Sequence, residues 1–204
     1  MSGRDGGQGH HSNQKGNEHD RSVPADGCLA VTGSVDSVAA ALVPVEWSGA
    51  ARARARLMAA FEAHRAEHRG SALGAGGSWA GPKTLFDDFE RQTRSLRDWI
   101  MSLLPGDQAW RISAWGVLHL PGDALIEHDH VRSHRGGKNV WAGVYWLSGG
   151  AAADAFCWRS GGDVGRTAPV VGSAVVFPAD MPHWTEAATE ERRAIAFNVD
   201  VDVP

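Results

Sequence analysis

Two imidazoles one residue apart, His128 and His130, close an apolar run, and a third, His183, follows the run Ala174-Val175-Val176-Phe177 after a proline-containing turn. In an extended strand successive side chains alternate faces, so His128 and His130 point together while Asp129 points away. Two adjacent imidazoles make half of a metal site. A third brings the set to the ligand number of an open catalytic centre, which leaves positions for substrate and for oxygen or water. Alone, an H-x-H pair is a weak signal, and a single histidine at 183 is more often a hydrogen-bonded structural residue. The third histidine is what lifts the metal reading above that of two surface imidazoles.

Nine residues beyond His183 stands Arg192, at the head of a strand-like stretch. One face of that stretch carries Arg192, Ala194, Ala196 and Asn198, and the other Arg193, Ile195, Phe197 and Val199. The second face is a core face. The first is lined by small residues, as expected of a wall that leaves room for an anion, and a guanidinium there can grip a carboxylate through two parallel hydrogen bonds. An exposed edge strand with a surface arginine is the plainer alternative, but it does not account for the alanines.

The elements that position these groups change character along the chain. Ala50, Ala53, Leu57, Ala60, Phe61 and His64 recur at three- and four-residue steps and predict an amphipathic helix, capped by Ser48 and stopped near Gly70. Residues 71–83 are glycine-rich and read as a loop. Asp87 and Glu90 have capping-box spacing and open a second helix, with Phe89, Leu96, Ile100 and Leu103 on its apolar stripe and Pro105-Gly106 at its end. Beyond Asp107 short β-branched and aromatic runs alternate with turns such as Pro121-Gly122-Asp123 and Ser160-Gly161-Gly162, predicting strands at 109–120, 124–130, 139–147, 154–159, 167–177 and 191–202. Helices leading into many short strands predict a mainly β domain, a sandwich or barrel with the helices on one outer face. The expected organisation is a disordered tail over 1–27, a helical support over 28–108 and a β core over 109–204, together one domain.

Composition narrows the partners. With 204 residues, a net charge of −4 and a pI near 6.2, the chain lacks the basic face of a nucleic-acid binder. Its longest apolar stretches are too short to span a bilayer. Only Cys28 and Cys157 are present, which is neither a disulfide framework nor a CxxC metal site and fits a reducing cytoplasm. The first 27 residues have too little apolar content for a secretory signal, and His10 and His11 within them are read as part of a solvated tail.

From residue 109 to 202 the ordered set Pro121-Gly122-Asp123, His128-Asp129-His130, Gly143-Val144-Tyr145-Trp146-Leu147, Phe177-Pro178, His183, Arg192 and Phe197-Asn198 resembles the Fe(II)/2-oxoglutarate-dependent dioxygenases, in their prolyl-hydroxylase-like branch. The resemblance is strongest to a bacterial group with a Gly-Asp turn before an H-x-H and an FP…H…R…FN ending. It implies a double-stranded β-helix, the jelly roll also seen in cupins, preceded by helices. It implies Fe(II) on His128, His130 and His183, 2-oxoglutarate as cosubstrate paired with Arg192, and O2 as oxidant, with decarboxylation to succinate and CO2 coupled to hydroxylation of a small-molecule or peptidyl substrate.

The family's usual triad has a carboxylate where this chain has His130. Either His130 is a genuine third ligand, or Asp129 or Glu127 swings in from an irregular strand end; strand alternation favours His130. The resemblance also places Trp146, with Tyr145 as second choice, and Asn198 beside the cosubstrate, although both aromatics fit a core equally well. The basic segment 131–138 is a candidate lid or substrate contact through Arg132, His134 and Arg135, and a solvated turn is its plainer reading. The competing class is a cupin-like three-histidine protein holding zinc or iron, with a hydrolytic, isomerase or binding role.

Overall fold

The computed structural model describes residues 42–73, 78–106, 108–133, 137–151 and 154–201, all within one compact unit. The tail expected over 1–27, Cys28, His134 and Arg135 lie outside the described residues. In chain order the elements are β1 (Val45–Glu46), α1 (Ala50–Glu67), β2 (Ser71–Leu73), β3 (Ser78–Ala80), α2 (Leu85–Asp88), α3 (Glu90–Ser102), β4 (Trp110–His119), β5 (Arg132–Ser133), β6 (Gly137–Lys138), β7 (Trp141–Ser148), β8 (Phe156–Ser160), β9 (Asp163–Thr167), β10 (Ser173–Pro178), β11 (His183–Thr185) and β12 (Arg192–Val201). Every strand pairing is antiparallel. A seven-stranded sheet runs β1-β10-β7-β12-β4-β3-β2, and a three-stranded sheet runs β11-β8-β9. Phe156 and Trp158 of the small sheet pack with Ala142, Trp146, Val175, Phe177 and Ala194 of the large one, so the two sheets close face to face as a jelly roll.

The large sheet has two faces because its strands alternate. Ile112, Ala114 and Leu118 of β4 and Ile195, Phe197 and Val199 of β12 pack outward against Ala53, Leu57 and Phe61 of α1 and Leu96 and Ile100 of α3. Each fully buried Leu, Ile or Phe there contributes about 1.5–3 kcal/mol. Gly116 lets α1 lie flat on the sheet, since a Cβ at that position would stand 2.8 Å from the Phe61 ring. The inward residues Trp115, Val117 and His119 of β4, with Arg192, Ala194 and Ala196 of β12, face the barrel interior. No helix among the described residues is long and apolar enough to cross a membrane.

Several local expectations are corrected. Gly49, not Ser48, caps α1, with no side-chain hydrogen bond, and the helix stops at Glu67 before Gly70. Asp87 opens no capping box: it lies within α2, and α3 begins separately at Glu90. Leu104 rather than Leu103 reaches the core. The loop read over 71–83 contains the β2–β3 pair, which adds two strands to the large sheet through Trp79–Leu118 and Ala80–Val117. Its glycines obscured a short strand whose pairing is long-range. Residues 124–130 form no continuous strand. Their backbone bonds at intervals to the far side of the barrel, from Thr185 N–H to the Leu125 carbonyl and through a two-way bridge between His128 and His183. The stretch read as one strand over 167–177 is β10 preceded by a turn, and β9 and β11 were not foreseen.

Candidate functional site

A cavity of about 450 Å³ opens between the sheets, and the three histidines stand on its wall with Arg192. Gly122, at a φ of +88°, turns the chain after β4, and Asp123 holds that turn by accepting the Leu120 N–H at 3.2 Å and the Ser78 hydroxyl at 3.0 Å. The chain then runs beside β11, where His128 and His183 exchange backbone hydrogen bonds of 3.0 and 2.9 Å, and His130 N–H donates to the Ala179 carbonyl at 2.8 Å. Those bonds bring three rings together: centroids lie 4.3 Å apart for His128 and His183, 4.9 Å for His128 and His130, and 5.0 Å for His130 and His183. One nitrogen of each lies within 4.8 Å of the other two.

The neighbours of the rings select their tautomers. His128 Nδ1 lies 2.9 Å from the Ile126 carbonyl, and His183 Nδ1 lies 3.0 Å from the Met181 carbonyl. A carbonyl only accepts, so each Nδ1 carries the proton and each Nε2 presents a lone pair, the arrangement that a carbonyl bonded to the far ring nitrogen imposes on metal-bound histidines. His130 Nδ1 lies 3.2 Å from the Asn198 amide, which also meets Asn139 Nδ2 at 2.9 Å and Lys83 Nζ at 3.2 Å. Its other ring nitrogen is left for the cluster. The amide nitrogen donates to His130 Nδ1 and to the Phe197 carbonyl while its oxygen accepts from Asn139 Nδ2 and Lys83 Nζ, so ligation through the other ring nitrogen would move the ring proton to Nδ1 and give up the Asn198 bond.

Both carboxylates near the cluster are turned away. Asp129 is exposed and accepts the Val131 N–H at 3.2 Å, and Glu127 pairs with Arg159 at 3.0 Å. Arg192 is the largest of the most deeply buried side chains. Its Nη1 donates to the Asp154 carbonyl at 2.7 Å, and its Nη2 has no hydrogen-bond partner among the described residues. Burial lowers its pKa and Asp154 opposes the shift, so the residue remains the buried cation of the cavity.

Of the other sequence candidates, Trp146 lines the cavity. Tyr145 faces the opposite side of the sheet, edge-on to Trp47 and Trp99, and burial pushes its hydroxyl up to about 12. Asn198 sits beside His130 rather than on the cavity wall. Arg132 is exposed on the β5–β6 hairpin and does not line the cavity. Two cavity residues escaped the sequence reading. His119 lies directly across from Arg192 in the β4–β12 register, within reach of the Ser78 hydroxyl at 3.2 Å. Its signal was present, because strand alternation places it with Trp115 and Val117. Lys83 stands 4.9 Å over the Trp115 ring, and burial lowers its pKa. It is the last residue of the segment read as loop, where no periodicity could reveal it.

These surroundings hold His130, His183 and His119 neutral. Burial, then His183, His128 and Lys83, lowers His130 to about 2. Burial and His128 lower His183 to about 4, and burial and Arg192 lower His119 to about 4. All three folded values lie below the ordinary 6.5, so as pH falls the unfolded chain takes up protons first. Stability of the metal-free chain is therefore lost from about pH 6.5 downward, with each group contributing up to about 1.4 kcal/mol per pH unit. Melting of the metal-free protein is expected several degrees lower at about pH 5.5 than at about pH 7.5. A flat or opposite trend in Tm would contradict neutral burial.

No family model and no curated protein matches the chain. Solved structures do. A prolyl-4-hydroxylase from Pseudomonas putida aligns at 19% identity over 83% of this chain and 97% of its own, with a TM-score of 0.54. A prolyl hydroxylase from Trichoplax adhaerens, in complex with a hypoxia inducible factor peptide fragment, aligns at 12% identity over 74% and 79%, with a TM-score of 0.56. A non-heme alpha ketoglutarate dependent carbocyclase from nogalamycin biosynthesis aligns at 13% identity over 77% and 78%, with a TM-score of 0.64. At such identities the likeness is one of backbone architecture: the chain has the jelly-roll fold of the 2-oxoglutarate and Fe(II) oxygenase structures.

Proposed function

We propose that this protein is an Fe(II)- and 2-oxoglutarate-dependent dioxygenase that oxidises, most simply by hydroxylation, a small-molecule or peptidyl substrate. The observation that carries the reading is Arg192 Nη2, without a hydrogen-bond partner among the described residues and buried in the same cavity as three imidazoles that each bring one nitrogen within 4.8 Å of the other two. A buried donor without a partner is costly, and a ligand carboxylate relieves that cost. The donor set fits iron: His128, His130 and His183 would hold the ion through one imidazole nitrogen each, and three protein ligands are fewer than iron takes. Iron with bound 2-oxoglutarate would supply the oxidising chemistry, using O2 and releasing succinate and CO2.

The chain's own residues orient and shield. Arg192 would hold the distal carboxylate, with His119 as its neighbour across the strand pair. Trp146, Phe156 and Phe177 line the cavity and keep water from the reacting centre. His130 in place of a carboxylate leaves the centre one unit more positive than the common two-histidine, one-carboxylate set. That charge favours the doubly anionic cosubstrate. The three-nitrogen set also suits a cupin-like zinc protein with hydrolytic chemistry, but such a site has no need of a buried guanidinium.

The decisive experiment measures succinate formed from 2-oxoglutarate under O2, with and without Fe(II). Iron-dependent turnover, even without a prime substrate, is expected. Binding of zinc with hydrolytic activity and no succinate under any iron loading would overturn the reading.

A further inference from the structure

On the outer side of the large sheet a second group of metal-capable side chains converges, away from the cavity. His64, on the last turn of α1, and His68, its C-cap, lie four residues apart and face the same way, with ring centroids 4.7 Å apart. Asp88, at the end of α2, brings Oδ2 to 3.8 Å from His64 Nε2 and 3.4 Å from His68 Nε2. The Thr84 hydroxyl holds that oxygen in place, donating to it at 2.6 Å.

We propose that His64, His68 and Asp88 form a second, structural divalent-cation site, of a kind suited to zinc. One ligand atom from each residue lies within 4.8 Å of the other two. The separations are too long for N–H···O hydrogen bonds, which run about 2.7–3.2 Å. They are close to the spacing of about 3.3 Å between neighbouring ligands of a tetrahedral ion bonded at about 2.0–2.1 Å.

A second observation points the same way. His64 is fully buried, yet neither of its ring nitrogens has a hydrogen-bond partner, and neither has His68 Nε2. Buried polar atoms are seldom left unsatisfied, and an ion shared with a carboxylate satisfies the two Nε2 atoms together. Two nitrogens and one oxygen from the protein, with water at the exposed fourth position, make a zinc donor set.

The location gives the ion a purpose. It would tie the end of α1 to α2, and the His64 ring packs edge-on against Trp79 of β3 and against Phe89. Behind Trp79 the chain continues through Ala80, Gly81 and Lys83, which line the cavity. The site would thus brace the segment that carries Lys83, without taking part in the reaction.

The test is zinc stoichiometry on the full chain, by equilibrium dialysis and metal analysis, in wild type and in a His128→Ala/His183→Ala background that disables the cavity cluster. His68→Gln and Asp88→Asn alter partly exposed side chains and should leave the fold intact. Each is expected to remove about one equivalent of zinc in both backgrounds, and to abolish the part of the zinc-induced rise in Tm that survives loss of the cavity histidines. Should the double variant not fold, the same subtraction in the wild-type background decides. Zinc uptake unchanged by both His68→Gln and Asp88→Asn overturns the proposal, whatever the state of the oxygenase site.

Discussion

Replacement of Arg192 by alanine is expected to raise the KM for 2-oxoglutarate by at least ~30-fold and to leave iron binding in place. Truncating one partner of a buried, charge-assisted pair costs about 2–5 kcal/mol. Here Arg192 is 2% exposed and lines the cavity of about 450 Å³, so the carboxylate it would hold lies with it in a buried wall. The loss falls on cosubstrate binding because the metal-site histidines are held by other parts of the chain: the His128 and His183 rings by the Ile126 and Met181 carbonyls, and the His130 backbone N–H by the Ala179 carbonyl. Arg192→Lys retains the charge without the planar fork and should recover part of the affinity. Steady-state succinate formation at varied 2-oxoglutarate, beside an iron titration, separates the two effects. A normal KM in the alanine variant would detach the arginine from the cosubstrate and with it the leading argument for an oxygenase.

His130→Ala should abolish iron binding, weakening it beyond the ~10- to 100-fold typical of losing a residue that merely supports a ligand, whereas Asp129→Ala should bind iron as wild type does. The contrast follows from placement. His130 stacks 5.0 Å from His183 with one nitrogen in the cluster, and Asp129 is exposed and engaged with the Val131 N–H. Glu127, held by Arg159, is no closer to a role. His130→Asp would restore the commoner two-histidine, one-carboxylate set and is expected to retain iron, since three donors of suitable type remain. Iron affinity of the three variants, read by titration under anaerobic conditions, decides among them. Retained binding in His130→Ala with loss in Asp129→Ala would reassign the third ligand.

The two predictions draw unequally on sequence and structure. Arg192 was legible because β12 alternates strictly, with small residues beside the arginine and branched or aromatic ones on the other face. His128, His130 and His183 were legible as residue types at a telling spacing. The reason given for pairing the first two, a regular strand over 124–130, was not what the chain forms: an arm bonded only at intervals still turns both imidazoles to one side. Trp146, the first choice over Tyr145, lines the cavity, and one residue of register separates it from a core tyrosine.

Periodicity and residue type by themselves pointed to helices first, many short strands after, a wall of small residues headed by an arginine, and three histidines on or beside short strands. Only the tertiary structure decided that the β2–β3 pair joins the sheet, that Lys83 and His119 enter the cavity, that Asp129 turns outward and that His64 and His68 meet Asp88. A local pattern reports which face of its own element a side chain takes. Which distant segment arrives opposite that face depends on long-range pairing and packing, which no single window of sequence contains.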